Sequence, residues 1–97
     1  MFQIIWSDEA EVDYIETLNY WIENNQSDKY ALKLMEEVEK KEDLISENPF
    51  TGTPSEIENV KSVLVDRNFS IYYKINDDTI EILSFWDNRR NPENLES

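Results

Sequence analysis

Apolar residues recur at helical spacing through the first half of the chain. Residues 8–23 carry one apolar stripe, and Ser7 precedes it as a candidate N-cap. A second stripe occupies residues 27–47 and ends at Asn48-Pro49, because the residue before a proline is driven away from helical angles. Only a short polar segment separates the two stripes. The pattern therefore predicts two helices joined as an αα-hairpin.

The spacing changes to that of strands in short runs at both ends of the chain. A run of β-branched and aromatic residues occupies positions 2–6, and three further runs follow the helices at 60–65, 69–75 and 79–86. The last run has apolar side chains at odd and even positions, which puts apolar groups on both faces and predicts that this is the best buried strand. A turn-rich link, residues 49–54, joins the helices to these strands.

The predicted order of elements is β-α-α-β-β-β. Segregated helices and strands indicate an α+β fold, in which the helical hairpin packs on one face of a mostly antiparallel, curved sheet. The first strand is expected at the edge of this sheet. A length of 97 residues, 39% of them apolar, suits a single domain over residues 1–97 that ends in a loose polar tail.

Composition excludes several kinds of chemistry. The chain has no cysteine and no histidine, so zinc sites built on thiolate or imidazole, cysteine nucleophiles and serine–histidine pairs are excluded. Its one glycine, Gly52, excludes a glycine-rich phosphate loop. No spacing of carboxylates indicates a metal site, and we expect neither a metal nor another cofactor.

The charge balance limits the partners. Nine Lys and Arg residues oppose 22 Asp and Glu residues, for a net charge of −13. Such a charge predicts repulsion from free nucleic acid and from anionic membranes. The first residues lack the basic segment of a signal peptide, and no apolar run approaches the roughly 20 residues that span a bilayer. We therefore expect a cytoplasmic protein.

The scarce guanidinium groups are concentrated near the last strands. Arg67, Arg89 and Arg90 are the only arginines, and Trp86 and Asp87 lie just before the last two. These five residues are the candidate target-binding surface, because adjacent arginines suit planar anions and aromatic residues anchor interfaces. The alternative is that the arginines pair with nearby acids at the surface, where an ion pair contributes about 0–1 kcal/mol. Asp87 fits an ion pair with Arg89 better than the role of a general base.

Several segments, taken in order, resemble the RelE/ParE superfamily of bacterial toxins from type II toxin–antitoxin operons. The resemblance covers nearly the whole chain. It rests on the first strand end and helix start at residues 6–10, the helix end and Asn-Pro break at 44–52, the strands at 61–65 and 69–73, and the last strand at 80–86 with its arginine-containing tail. It implies the α+β fold derived above.

The resemblance implies one of two activities. RelE-type members cut mRNA in the ribosomal A site with a cluster of Lys and Arg and a Tyr, and the matching residues here are Lys61, Tyr72, Arg89 and Arg90. ParE-type members block DNA gyrase and need no cleavage centre.

The chain departs from the RelE pattern at two positions. Ser70 stands where ribosome-dependent members carry Arg, and Asp87 stands where many members have His or a basic residue. The tail after Arg90 also lacks Tyr and Lys. We therefore expect a ParE-like toxin that binds a protein target such as gyrase. The alternatives are a ribosome-dependent mRNA endonuclease and a degenerate binding domain without toxicity.

The resemblance also implies partners. A cognate antitoxin is expected to wrap the toxin, with a helix in a groove or a strand added to the sheet. The expected receiving surfaces are the outer apolar fringe of the helical hairpin and the exposed sheet edge. Because the toxin is acidic, the antitoxin's C-terminal segment is predicted to be apolar or basic. A homo-oligomer and a role in plasmid stabilization are compatible with the resemblance.

Overall fold

The computed structural model describes residues 2–25 and 28–89, and these form two helices and one five-stranded sheet. The elements are β1 (Gln3–Trp6), α1 (Asp8–Asn25), α2 (Lys29–Glu47), β2 (Thr53–Pro54), β3 (Val60–Asp66), β4 (Phe69–Asn76) and β5 (Thr79–Asp87). The strand order is β1-β5-β4-β3-β2. Only the β1–β5 pair is parallel among these strands, so the predicted mostly antiparallel α+β fold is confirmed.

The first strand lies at the sheet edge, as predicted, and Ser7 ties it to α1 and β5. The Ser7 hydroxyl accepts a hydrogen bond from the Ala10 N–H at 3.1 Å, which confirms the predicted N-cap. The Ser7 N–H donates to the Ile82 carbonyl at 2.9 Å. One serine therefore fixes where β1 ends, where α1 begins and how both sit against β5.

Both helices pack on one face of the sheet, α1 against β5 and α2 against β3. Aromatic rings form a continuous row in this layer. Trp6 stacks on Tyr14 at 5.2 Å between ring centroids, Tyr14 meets Phe85 at 5.0 Å, and Phe85 stacks on Phe69 at 5.1 Å. Such pairs contribute about 0.5–1.5 kcal/mol each beyond the area they bury. Within the described residues, neither helix is apolar enough over sufficient length to span a membrane.

A β-bulge changes the phase of β5 near its middle. Tyr73 lies opposite Ile82, whereas the preceding Tyr72 lies opposite Ser84, so Leu83 is an extra residue in β5. The buried residues before and after the bulge then share the helix-covered face; they are Ile80, Ile82 and Phe85. The prediction that the last strand is the best buried one is wrong, because β4 has four buried residues and β5 has three. The bulge explains the run of apolar residues in β5.

The link after α2 is held by a buried tyrosine. The Tyr73 hydroxyl donates to the Pro49 carbonyl at 2.6 Å and accepts from the Gly52 N–H at 3.1 Å. Residues Pro49–Thr51 form a 3₁₀ turn, and β2 follows directly. A Cβ atom at position 52 would collide with the Tyr73 hydroxyl, so the close approach requires glycine. The predicted turn-rich link is therefore a pinned part of the fold.

Replacing Tyr73 by Phe is expected to lower the free energy of unfolding by about 1–3 kcal/mol, because the Gly52 N–H and the Pro49 carbonyl lose their partner. Urea denaturation measures the change. Tyr72→Phe on the same strand is the matched control, with an expected change below about 0.5 kcal/mol. Equal losses in the two variants would contradict this account.

The raised pKa of the Tyr14 hydroxyl predicts a loss of stability at alkaline pH. Burial, followed by the nearby carboxylates of Glu42 and Glu39, raises the pKa of the Tyr14 hydroxyl to about 12. In the unfolded chain, the tyrosine hydroxyl ionises near its ordinary pKa of 10. The folded state therefore keeps its full stability below pH 10 and loses this contribution as the pH rises towards 12.

Tyr14→Phe should make the decline of stability above pH 10 shallower, which urea titrations from pH 8 to pH 11.5 would measure. Burial also raises the pKa values of Tyr30 and Tyr73, so part of the decline remains. An unchanged slope in Tyr14→Phe would show that this hydroxyl does not drive the alkaline loss.

Candidate functional site

A groove of about 500 Å³ lies between α1 and the carboxyl-terminal end of β5. Three of the residues predicted to bind a target, Trp86, Asp87 and Arg89, line it. Aromatic rings from α1 and β4 complete its wall; they are Tyr20, Trp21 and Phe69. The groove is therefore a surface with rings on its walls, placed where the sequence concentrates its arginines.

Asp87 holds the Arg89 side chain in a fixed geometry. The Arg89 Nε donates to Asp87 Oδ1 at 3.0 Å and its Nη2 donates to Oδ2 at 2.9 Å, while the Arg89 backbone N–H also donates to Oδ1 at 2.9 Å. These hydrogen bonds raise the pKa of the Arg89 guanidinium further above its ordinary range, against the opposing effect of burial. The predicted pairing of Asp87 with Arg89 is observed.

The same guanidinium lies over two aromatic rings. Its central carbon is 5.3 Å from the Trp21 ring centroid and 5.7 Å from that of Phe69. Within this distance the positive charge is attracted to the negative ring face. Arg89 is thus engaged on one side by a carboxylate and on the other by rings, although about half of its side chain remains exposed.

Acidic residues of α1 line the opposite side of the groove. Glu9, Asp13 and Glu16 are spaced at i, i+4 and i+7, which places them on one helix face. Among the described residues that line the groove, these three acids and Asp87 outnumber the one cation, Arg89. The surface suits a partner with basic and apolar groups, and it would repel a polyanion. The regular spacing of these acids is the sequence signal that could have identified them.

The predicted target-binding residues lie at different positions around this end of the sheet. Arg67 is exposed in the turn between β3 and β4, and the Asn88 N–H donates to the Asn68 carbonyl at 2.7 Å, so this turn adjoins the end of β5. Trp86 lies opposite Ser70, out of phase with Asp87. Arg90 lies outside the described residues.

The candidate catalytic residues do not share a site among the described residues. Lys61 lies opposite Tyr73, so it belongs to the helix-covered face, whereas Tyr72 belongs to the other face. Arg89 is held against Trp21 of α1. The fourth candidate, Arg90, is outside the described residues. The three described candidates therefore face different surroundings.

Trp21 lies in the apolar stripe of α1, yet it forms part of the groove. It is only partly buried, and it packs against the Tyr30 ring at 4.7 Å and the Tyr20 ring at 5.6 Å. Trp21 consequently serves as the floor of the groove beneath Arg89.

Arg89→Ala is expected to lower the free energy of unfolding by about 1 kcal/mol, through loss of the bidentate ion pair and the ring contacts. Arg89→Lys should recover less than half of this, because an ammonium cannot reproduce the planar fork. Thermal or urea unfolding measures both. Lys40→Ala, which removes the exposed Lys40–Glu37 pair, is the control and should cost less. A cost for Arg89→Ala no larger than the control's would contradict the geometry.

Solved structures with the same fold were found by comparison. The structure of the chromosomal ParDE TA system from P. aeruginosa matches with a TM-score of 0.76 at 20% identity, over 90% of this chain and 96% of that one. The YoeB/ParE toxin from Agrobacterium tumefaciens matches with a TM-score of 0.63 at 12% identity, over 89% and 98%. The YoeB-YefM complex from Staphylococcus aureus matches with a TM-score of 0.59 at 20% identity, over 88% and 94%. These likenesses show the fold.

Sequence comparison identifies the family. A comparison with curated protein sequences found no match. A family model described as the ParE toxin of the type II toxin–antitoxin system, parDE, matches residues 4–92, which include every element of the fold except the first residue of β1. The resemblance to the RelE/ParE superfamily is confirmed. This chain belongs to the ParE toxin family of type II toxin–antitoxin systems.

Proposed function

We propose that this ParE-family toxin acts by binding a protein target such as DNA gyrase, and that a cognate antitoxin neutralises it. The observation that carries the proposal is the way in which Asp87 and the neighbouring rings hold the Arg89 side chain. Its guanidinium is held by Asp87 at 2.9–3.0 Å and lies over the Trp21 ring, so it serves as part of a formed protein surface. A pre-organised surface of aromatic and charged groups suits a protein interface.

The distribution of cations supports binding over RNA cleavage. A ribonuclease must neutralise charge that develops on a phosphate, which requires cations aimed at one point. Lys61, Tyr72 and Arg89 lie in three different surroundings, and the groove beside Arg89 is lined mainly by carboxylates. A net charge of −13 opposes approach to a polyanion as well.

The helical hairpin offers a surface for the antitoxin. Large apolar side chains stand exposed on both helices; they are Val12, Ile15 and Ile22 on α1 and Leu32, Met35 and Leu44 on α2. A groove of about 380 Å³ between the helices contains Ile15 and Met35, with Glu11, Glu39 and Glu42 at its borders. An amphipathic antitoxin helix would place apolar anchors in this groove and basic residues at the acidic border. The similar S. aureus structure is itself a YoeB-YefM complex.

The proposal is tested with purified gyrase. We expect the toxin to inhibit supercoiling and to arrest bacterial growth. Arg67→Glu should weaken inhibition about tenfold, because it reverses an exposed charge beside the groove and single interface residues often contribute this much. Lys33→Glu, the same charge change on the exposed surface of α2, is the matched control and should inhibit like the wild type.

Two results would overturn the proposed function. Cleavage of ribosome-bound mRNA, lost in Arg89→Ala, would assign the RelE-type activity instead. Normal growth on overexpression of the folded protein would assign a degenerate binding domain without toxicity.

A further inference from the structure

A cluster of hydrogen bonds joins α2 to the turn between β3 and β4, behind the groove that contains Arg89. The Tyr30 hydroxyl donates to Asp66 Oδ2 at 2.7 Å and accepts from Asn68 Nδ2 at 3.2 Å. Asp66 Oδ1 accepts from the backbone N–H groups of Asn68 at 2.7 Å and Phe69 at 3.1 Å. Tyr30, Asp66 and Asn68 do not line the groove. The cluster therefore holds the turn without offering its own groups to a partner in the groove.

The turn held by this cluster presents one of the predicted target-binding residues. Arg67 lies between Asp66 and Asn68, and its side chain is exposed. The Asp66 carboxylate spans Arg67 to reach the backbone two and three residues on, which is the way an aspartate closes a turn. The Tyr30 hydroxyl adds a bond from α2, 36 residues away in the chain. The helix thus fixes the carboxylate that fixes the backbone around Arg67.

The same turn is bonded to the residue before Arg89. The Asn88 N–H donates to the Asn68 carbonyl at 2.7 Å, and Asn88 Oδ1 accepts from the Ser70 hydroxyl at 2.9 Å. Asn88 lies between Asp87 and Arg89, whose side chains form the ion pair of the groove. A displacement of the turn would therefore move the backbone that presents Arg89.

The Tyr30 ring makes a second connection to Arg89. It packs against the Trp21 ring at 4.7 Å between centroids, and the Arg89 guanidinium lies 5.3 Å from the centroid of that same Trp21 ring. Burial raises the pKa of the Tyr30 hydroxyl above its ordinary value, so the hydroxyl keeps its proton and donates to Asp66 throughout the neutral range. One side chain thus contacts the supports of both described arginines that were predicted to bind a target.

We propose that Tyr30 is a positioning residue of the target-binding surface. Its hydroxyl fixes the turn that presents Arg67, and its ring supports the Trp21 ring on which the Arg89 guanidinium rests. The inference rests on the proposed binding of a protein target and adds to it a residue that lies outside the groove. Because one side chain holds both supports, the two arginines keep a fixed separation, and a partner that contacts both loses little entropy in ordering them.

Hydrogen exchange followed by NMR tests the positioning on the toxin alone. Tyr30→Phe keeps the ring and removes the hydroxyl, so the Asn68 and Asn88 amides should exchange about fivefold faster relative to the Ser7 amide. The Ser7 N–H is a suitable reference because it is bonded to the Ile82 carbonyl, away from the turn. Tyr73→Phe removes a buried hydroxyl that bonds elsewhere, and as the matched control it should leave this ratio unchanged.

Tyr30→Leu tests the part played by the ring. The Arg89 Nε–H, which donates to Asp87 Oδ1 at 3.0 Å, should exchange about threefold faster in Tyr30→Leu than in Tyr30→Phe, because Trp21 then loses its support. Equal exchange of the Arg89 Nε–H in the two variants would overturn the role of the ring.

A double-mutant cycle with purified gyrase tests whether Tyr30 acts through Arg67. Arg67→Glu should weaken inhibition about tenfold in the wild-type background and about threefold in Tyr30→Phe, because the charge at position 67 is no longer held in place there. In the Tyr73→Phe background the tenfold effect should remain. A merely structural role of Tyr30 would lower the folded fraction and leave the effect of Arg67→Glu equal in all three backgrounds.

The outcomes separate this inference from the proposed function. An unchanged exchange ratio in Tyr30→Phe, or a full tenfold effect of Arg67→Glu in that background, would overturn the positioning role and leave the proposed target binding intact. A wild-type toxin that fails to inhibit gyrase would overturn the proposed function, and the exchange ratio would then decide by itself whether Tyr30 positions the turn.

Discussion

The β-bulge at Leu83 is the constraint on which the site depends. Before Leu83, the even-numbered residues of β5 face the helices, and after it the odd-numbered residues do. The change puts Phe85 and Asp87 on the helix side, where Asp87 can hold Arg89 over Trp21. Without the extra residue, Trp86 would face the helices and Asp87 the open face. One inserted residue therefore decides which side chains form the groove.

A second β-bulge lies in β3, at the same end of the sheet. Leu64 lies opposite Ser70 and Asp66 lies opposite Phe69, so Val65 is the extra residue. The shift turns Asp66 towards α2, where it accepts a hydrogen bond from the Tyr30 hydroxyl at 2.7 Å. Two bulges thus bring two carboxylates under the helices. Each carboxylate has a polar partner that lowers the cost of its partial burial.

The three grooves differ in chemistry although they belong to one small fold. The groove beside β5 combines rings with carboxylates, the hairpin groove combines apolar side chains with carboxylates, and a third groove, beside β2, combines apolar side chains (Phe50 and Ile57) with lysines (Lys61 and Lys74). The grooves therefore differ in the pattern of charge that each presents at the surface.

The sequence by itself determined the element order, the Ser7 cap and the helix end at Asn48-Pro49, because these follow from local spacing and backbone preference. It also determined that the fold is acidic and that its arginines lie near the last strand. Only the tertiary structure decided which residues of β5 share a face. Period-two alternation already places Tyr73 on the apolar face of β4 and Tyr72 on the other, but it reads Leu83 as one more strand position. The bulge at Leu83 arises from pairing across the sheet, which only long-range contacts fix.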